Sequence, residues 1–457
     1  MAVPGALGLC DLATFLKQHT VAERTFRFLV AGDLHLEQPG YGLDEVNDSL
    51  RELMIEAPYL AAERVFETAL AENVDFVLLV GDVVDPWTAG PRGVAFLTEQ
   101  FKRLAARQIP VYWAGSPLDA LGRWPLGIEL PENVVRFALD VPHVQLIQRD
   151  GIELARIAGV SAAGSSRLRS GDFTADAELF SLAVAFGQID AADLKNSNVD
   201  FWAFGGQHDR QVLSNVRPVV LCPGSPQGRC PSEVGAHGCT LVEVSCHAPF
   251  EGERRPTRYD VRLRVMPTDV LRWHDVELRA EHLESVEQVQ DALLTQLAAL
   301  QDTSRDTDLV VQVSIITDAQ RAARWRSSLP VLLERARTTF GYRSPACWTA
   351  AIKFQSTARW GARYADEDTL LGDVLRQLYR FADDPSLPIE FTSYLNQRQR
   401  SGAFGSALEY LDGESREDML ADAAALIVDL LGPRGDAGNG AHAGSASATT
   451  LEQRGTT

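Results

Sequence analysis

The hydrophobic pattern up to about residue 115 switches repeatedly between two periods. Phe26 to Ala31 is an apolar run broken only by Arg27, Asp75 to Val80 reads DFVLLV, and Val111 to Ala114 is a third short run, each bounded by Gly, Asp or Pro. Runs this short, rich in β-branched and aromatic residues, read as buried parallel strands. Between them, Pro58 to Glu72 and Val94 to Arg107 set apolar residues three and four apart, the helical spacing. That alternation builds an α/β sheet covered by helices. Further strands are expected at 153–160, 181–186, 200–204, 217–222 and 239–245, with fewer helices between them, so the second half of this domain reads as more antiparallel.

Near residue 250 the pattern changes. Leu283, Val286, Val289, Leu293 and Leu297 mark an amphipathic helix, and Leu309 to Ile316 a strand after it. The expected organisation is an N-terminal extension (1–24), a catalytic-type domain (25–250), a connector (251–267), a smaller α/β domain (268–400), a helical segment (401–432) and a disordered Gly/Ala/Ser/Thr tail (433–457). Within the helical segment, residues 404–431 carry an apolar set (Leu408, Leu411, Leu420, Ala424, Ile427, Leu431) suited to docking on this protein or on a partner.

Composition narrows the classes. The chain has 457 residues, 45% of them hydrophobic, enough for several cores and incompatible with disorder throughout. Its formal charge of -19 excludes a uniformly basic nucleic-acid-binding surface. Only Lys17, Lys102, Lys195 and Lys353 are lysines, so 39 of the 43 basic residues are arginines. Arginine's fork suits phosphate and carboxylate, although a GC-rich genome produces the same bias. No signal peptide opens the chain and no run of about 18 apolar residues occurs, so a cytoplasmic protein outside the membrane is expected. Cys222, Cys230, Cys239 and Cys246, with His237 and His247, fall close together, but their spacing fits no zinc knuckle, and buried reduced thiols are expected.

The candidate chemistry lies where acids and imidazoles follow strands. Asp33 and His35 come just past the first strand, in AGDLHL; residues two apart on an extended chain point the same way, so both can reach one metal ion at the carboxyl edge of the sheet. The second strand ends in GDVVD, which places Asp82 on the same edge, where a carboxylate can bridge two cations about 3.5–4 Å apart. With these motifs the chain resembles the calcineurin-like metallophosphoesterase superfamily, and within it the SbcD and YhaO branch of DNA repair exonucleases. VDFVLLVGDVVD, VDFWAFGGQHD and CPGSPQGRCPSEVGAHGCTLVEV carry the likeness over residues 25–250. The resemblance implies a two-sheet sandwich with helices on both outer faces, capped by a DNA-positioning domain.

The departures from that family are as informative. Its third motif, Gly-Asn-His-Asp, corresponds here to AGSPLD, with Ser116 and Pro117 in place of the metal-binding Asn and the protonating His. Its fourth-motif His corresponds to Gly187 in LAVAFGQ, and the first His of its Gly-His-x-His to Gly206. Sorted by cation, the ligands that the resemblance implies for one ion all survive as Asp33, His35, Asp82 and His208, while those of the other are Ser116, Gly187 and Gly206. One divalent ion, Mn2+ or Mg2+, and an empty second site are expected. Asp119, Gln188, Asp190, Gln207 and Asp209 lie near enough to replace a lost ligand. The alternative is that the survivors serve ordinary turns and hydrogen bonds. The family's cap also implies phosphate contacts for Arg254, Arg255, Arg258, Arg321, Arg324 and Arg326, which could equally be solvated faces.

The sequence thus points to a DNA repair exonuclease-like metallophosphoesterase with impaired catalysis. DNA, a coiled-coil repair ATPase docking through 404–431, and a second copy of the chain are its candidate partners. A one-metal phosphoesterase acting on a smaller substrate and a non-catalytic DNA- or partner-binding scaffold are the competing readings.

Overall fold

The first two strands are short because residues with left-handed backbone follow closely, Asp33 (φ 50°) after the first and Gly81 (φ 83°) after the second. A computed structural model of the chain describes residues 25–431 apart from 140, 163–168, 177, 188–189, 196, 248–257, 305, 357–360, 385, 388 and 390–412. Strands β1 (Phe26–Ala31), β2 (Phe76–Leu79), β3 (Val111–Trp113) and β4 (Val134–Arg136) run parallel and side by side. β11 (Gly238–His247) and β12 (Arg258–Pro267) extend the sheet antiparallel beyond β1. Its order is β12-β11-β1-β2-β3-β4. The connector expected at 251–267 therefore contributes, from Arg258, an edge strand bonded along its length to β11.

The second sheet has the order β5-β6-β7-β8-β10-β9, from β5 (His143–Arg149), β6 (Ile152–Val160), β7 (Phe180–Phe186), β8 (Phe201–Gly205), β9 (Gln211–Ser214) and β10 (Val219–Cys222). It departs from the antiparallel expectation. β6, β7, β8 and β10 are mutually parallel, and only the outer strands β5 and β9 run antiparallel to their neighbours. The physical reason was visible in the strands themselves, since LAVAF and FWAF are apolar at every position, as strands buried on both faces require.

Pleating divides each strand between two cores. Phe28, Val30, Phe76, Leu78 and Val80 of the first sheet meet Leu182, Val184, Phe201 and Leu221 of the second. Phe28 and Phe76 stack with centroids 4.7 Å apart, and each is fully buried; such a side chain contributes roughly 1.5–3 kcal/mol. The opposite face of the first sheet, with Leu29, Val77, Leu79 and Trp113, is covered by α1 (Asp48–Ala71) and α2 (Pro86–Ala105) through Val65, Phe66, Leu97 and Phe101. The outer face of the second sheet packs Ala183, Ala185, Trp202 and Phe204 under Phe173, Leu194 and Val199, beside the single turn α3 (Ala191–Leu194).

Helix α1 begins ten residues before the expected Pro58, at the Asn47 cap, whose side chain accepts from the Leu50 N–H at 2.8 Å. Pro58 sits inside the helix and cannot donate to the Met54 carbonyl four residues back. The Gly40 N–H takes that carbonyl instead, at 2.9 Å, which ties the loop after β1 to the helix. In α2 the helix proper starts beyond Gly90, whose φ of 62° breaks it, and Pro91.

A third sheet, β13 (Leu271–Arg279), β14 (Asp308–Thr317) and β15 (Cys347–Ser356), accompanies α4 (Val286–Thr303) and α6 (Leu329–Phe340). As expected, α4 buries Val289, Leu293 and Leu297. The described residues divide into two compact units: one up to Leu278 with Leu283–Ile315 and Leu329–Lys353, and one of Arg279–His282, Ile316–Ser328 and the described residues from Phe354 to Leu431. Much of the domain expected at 268–400 thus lies in the first unit, where Leu271, Trp273, Val310 and Trp348 pack with Leu50 and Met54 of α1. The second unit gathers α5 (Ala319–Trp325), α7 (Ala362–Ala365), α8 (Leu370–Asp383) and α9 (Gly413–Leu431) around Ala322, Tyr364, Leu375 and Ala424. No described helix is long and apolar enough to cross a membrane.

Candidate metal centre

Two loops at the carboxyl ends of β1 and β2 build the site by bonding to each other. The Asp33 N–H donates to the Gly81 carbonyl at 2.9 Å and the His35 N–H to the Asp82 carbonyl at 2.9 Å. Asp33, His35 and Asp82 have φ values of 50°, 45° and 47°, a left-handed conformation that non-glycine residues rarely adopt. Asp33 and His35 therefore converge because of this loop geometry; simple strand alternation does not carry them, since β1 ends at Ala31. The intervening Leu34 and following Leu36 point into the core, 1% and 3% exposed.

His208 arrives from the loop after β8. One ligand atom each from Asp33, His35 and His208 lie within 4.8 Å of one another, and among the described residues this is the only group of three or more such side chains so arranged. Asp82 stands outside that trio but beside it, its Oδ2 3.9 Å from His35 Nε2. Burial and the neighbouring Asp82 charge push Asp33 up to about 7, against the Gly206 N–H, His208 and Arg229, which pull it down. The Gly206 N–H reaches both Asp33 oxygens, at 3.0 and 3.1 Å.

Whether these residues fit a cation is decided by His35. Its ring is buried, its Nδ1 faces Glu37 Oε1 at 3.4 Å, and its Nε2 has no hydrogen-bond partner. A buried imidazole nitrogen with no hydrogen-bond partner, 3.9 Å from the Asp82 carboxylate, is a costly arrangement for hydrogen bonding alone and a suitable one for a divalent metal. Oxygen and imidazole nitrogen suit Mn2+ or Mg2+ and exclude none of the borderline metals. The residues fit.

Around this cluster lie residues that the sequence reading did not single out. Glu233 accepts from His208 Nδ1 at 2.7 Å and from the Arg229 N–H at 2.7 Å. The Arg229 guanidinium, almost wholly buried, donates to Gln38 Oε1 at 2.6 Å and lies 3.3 Å from Glu233 Oε1. Burial raises Glu233, but the His208 hydrogen bond and Arg229 outweigh it and bring it down to about 2; the same hydrogen bond holds His208 above its ordinary range. The segment GRCPSEVG that supplies both residues was quoted for its likeness to the family, and Glu37 stands two residues past His35, but neither carried a ligand signature.

The other half of the site is built differently. Ser116 is fully buried, and its Oγ accepts from the Leu118 N–H at 3.1 Å. Gly187 has φ of 113° and Gly206 of 88°. The Phe186 ring lies over this corner: a Cβ at Gly81, Gly205 or Gly206 would stand 2.5, 3.2 or 3.1 Å from it. Of the residues weighed as replacement ligands, Asp119 is fully buried and accepts from the Val83 N–H at 2.8 Å and the Ser116 N–H at 2.5 Å, so it fastens the loop after β3 to the loop after β2. Gln207 donates to the Gly206 carbonyl, Asp209 and Asp190 are exposed, and Gln188 lies outside the described residues.

The remaining expected residues are dispersed. Arg254 and Arg255 lie outside the described residues, and Arg258 opens β12. Arg321, Arg324 and Arg326 fall in the second unit, where Arg321 pairs with Asp318 at 2.6 Å and Arg324 is exposed. Cysteines 222, 230, 239, 246 and 347 are buried, and His237 is used by Ser225 and the Glu233 carbonyl.

Comparison with known proteins agrees with this geometry. Residues 26–115 match the calcineurin-like phosphoesterase family model. Over 234 residues the chain is 32% identical to the uncharacterized metallophosphoesterase YhaO of Bacillus subtilis, an alignment covering 48% of this chain and 57% of that relative. The chain thus spans little more than half the length of the curated relative it matches. Among solved structures it is similar to a dimetal phosphatase from Danio rerio (10% identity, 52% of this chain and 98% of that one, TM-score 0.30). It is also similar to vacuolar protein sorting 29 from Cryptosporidium parvum (17% identity, 53% and 99%, TM-score 0.24). The match to the calcineurin-like phosphoesterase family model thus covers β1 to β3 and the loops that carry Asp33, His35 and Asp82.

Proposed function

We propose that this chain is a metal-dependent phosphodiesterase of the DNA repair exonuclease type that works with one divalent cation and turns over slowly. The observation that carries the reading is the asymmetry of the site. Asp33, His35 and His208 converge around the unpartnered His35 Nε2, while the positions of the other cation's ligands are Ser116, Gly187 and Gly206, with the Phe186 ring packed over Gly206. Side chains cannot be restored there simply, because a histidine at φ of 113° or 88° would be strained.

A cation held by Asp33, His35 and His208, with Asp82 beside it, would offset the charge of a phosphodiester and polarise it toward attack. The chain's own contribution is to hold the two ligand loops together through their backbone hydrogen bonds, with Leu34, Leu36 and Cys222 buried beside them. It supplies no imidazole at Pro117 to protonate the leaving group. Loss of one of two clamping cations removes several kcal/mol of charge stabilisation, of which about 4 kcal/mol is already a thousandfold in rate; the missing acid removes about another hundredfold.

DNA as substrate and a coiled-coil ATPase as partner come with this reading. Within the second unit, Leu420, Ala424 and Ile427 of α9 are packed against α5 and α8, so a partner on that helix would meet the exposed Leu426, Leu430 and Leu431.

Metal analysis of the purified chain together with Mn2+-dependent cleavage of linear DNA tests the proposal. One equivalent of metal and slow cleavage lost in Asp82→Asn are expected. Two equivalents, or cleavage at rates of a two-metal nuclease, would overturn the single-cation reading. Hydrolysis of small phosphodiesters but not DNA would replace the substrate class, and no bound metal would leave a scaffold.

A further inference from the structure

Resting on the single-cation reading, we propose that Glu37 and Glu233 are positioning residues that lock both histidine ligands in the tautomer offering Nε2 to the ion. The two carboxylates come from unrelated parts of the chain, one from the loop after β1 and one from the segment between β10 and β11, yet each is used in the same way. One oxygen of Glu37 faces His35 Nδ1 at 3.4 Å while the other accepts from the Asp85 N–H at 2.9 Å. One oxygen of Glu233 meets His208 Nδ1 at 2.7 Å while the other accepts from the Arg229 N–H at 2.7 Å. The side chains of Glu37 and Glu233 are 3% and 7% exposed, so neither has water to turn toward.

An ionised carboxylate only accepts hydrogen bonds. The proton must therefore sit on Nδ1 of each imidazole, which leaves the lone pair on Nε2. That is the nitrogen of His35 found buried and unpartnered. For His208, Arg229 Nη2 lies 3.1 Å from Nδ1 and 3.2 Å from Nε2 and so does not distinguish the two nitrogens; the Glu233 contact at Nδ1 makes the assignment. Because the second oxygen of each glutamate is pinned to backbone, in the loop after β2 for Glu37 and in its own segment for Glu233, the imidazole is fixed in orientation as well as tautomer. Arg229 has a further part. Its guanidinium, 2% exposed and 3.3 Å from Glu233 Oε1, supplies the opposite charge that keeps Glu233 ionised in the interior. Carboxylate partners of this kind are worth 10- to 100-fold in metal affinity.

The test uses the full chain, metal-free, with ¹⁵N imidazole spectra recorded at about pH 8.5, followed by Mn2+ titration calorimetry. Both His35 and His208 are expected as the Nδ1–H tautomer. Glu37→Leu should release His35 alone and Glu233→Leu His208 alone, each lowering Mn2+ affinity 10- to 100-fold. Glu233→Gln, which keeps an acceptor oxygen, should largely restore the tautomer and part of the affinity. Should Glu233→Leu fail to fold, Glu37→Leu carries the test. An Nε2–H tautomer in the parent protein, or leucine variants with unchanged Mn2+ affinity, would overturn the inference. Nδ1–H tautomers in a parent protein that binds no Mn2+ would instead overturn the cation reading and leave the tautomer assignment standing.

Discussion

Lowering the pH from 7.5 to 5.5 should weaken Mn2+ binding at least 25-fold, and Asp33 is the reason. Burial beside Asp82 lifts this carboxyl from its ordinary 3.8 to about 7 in the metal-free protein. About three quarters of it is ionised at pH 7.5 and about 3% at pH 5.5, so a cation that needs the carboxylate loses about 25-fold. His208, held above its ordinary range by Glu233, adds to the loss because its protonated ring has no lone pair. The same shift has a consequence for stability, with a definite sign. Between pH 3.8 and about 7 the folded protein holds a proton on Asp33 that the unfolded chain has released, so metal-free stability falls as the pH rises through that window, by about 4 kcal/mol in all. Metal binding to the ionised form offsets that loss, so the rise in melting temperature on adding Mn2+ should grow with pH. Titration calorimetry at four pH values, with urea melts in EDTA, measures both. An affinity changing less than about threefold between pH 7.5 and 5.5 would refute the placement of Asp33 in the cation's shell.

Other outcomes follow from the packing. Gly205→Ala would set a Cβ 1.6 Å from the Val80 carbonyl oxygen, and urea denaturation should show a loss of at least about 3 kcal/mol; a variant of parental stability would contradict the close approach of β8 to the end of β2. Glu233, brought down to about 2 from 4.5, contributes stability that is present above pH 4.5 and lost as the pH falls toward 2. Glu233→Gln should therefore flatten the acid limb of the stability curve, and an unchanged limb would count against the His208 and Arg229 contacts. Leu420→Ala, at a position 5% exposed, should cost about 2–4 kcal/mol and raise hydrogen exchange in α8 and α9 while leaving β1 to β3 protected. Uniform loss of protection would show the two units unfolding together.

How far the site was legible depends on how local each signal is. Asp33, His35 and Asp82 announce themselves as short polar motifs directly after apolar runs and are placed at the carboxyl edge on that basis, whereas His208 comes only from the resemblance to the family. The absence of side chains at Gly187 and Gly206 was equally readable. Phe186 was not, because an aromatic residue closing an apolar strand looks like ordinary core; only the fold brings it over Gly81, Gly205 and Gly206. Asp119 illustrates the reverse: as a carboxylate near a lost ligand it could have been a substitute, yet both its oxygens face backbone N–H groups. Pro58 misled for a related reason. Proline is a common first residue of a helix, and its place inside α1 is tolerated because Gly40, eighteen positions earlier, satisfies the carbonyl it leaves free.

What the sequence determined by itself is what depends on neighbours along the chain: the strands, whose apolar runs have nowhere to go but inside, and the acidic and imidazole residues Asp33, His35 and Asp82 just past their ends. What only the tertiary structure decided is everything that joins distant segments. The parallel order of β6, β7, β8 and β10 depends on which edges meet. The pairing of His208 with Glu233 and of Glu37 with Asp85 depends on contacts across 25 and 48 positions. The proton on Asp33 depends on burial and on Asp82, 49 residues away. Hydrophobic periodicity is set by local backbone geometry, whereas a hydrogen bond or a charge acts through space on whatever the fold has brought within a few ångströms.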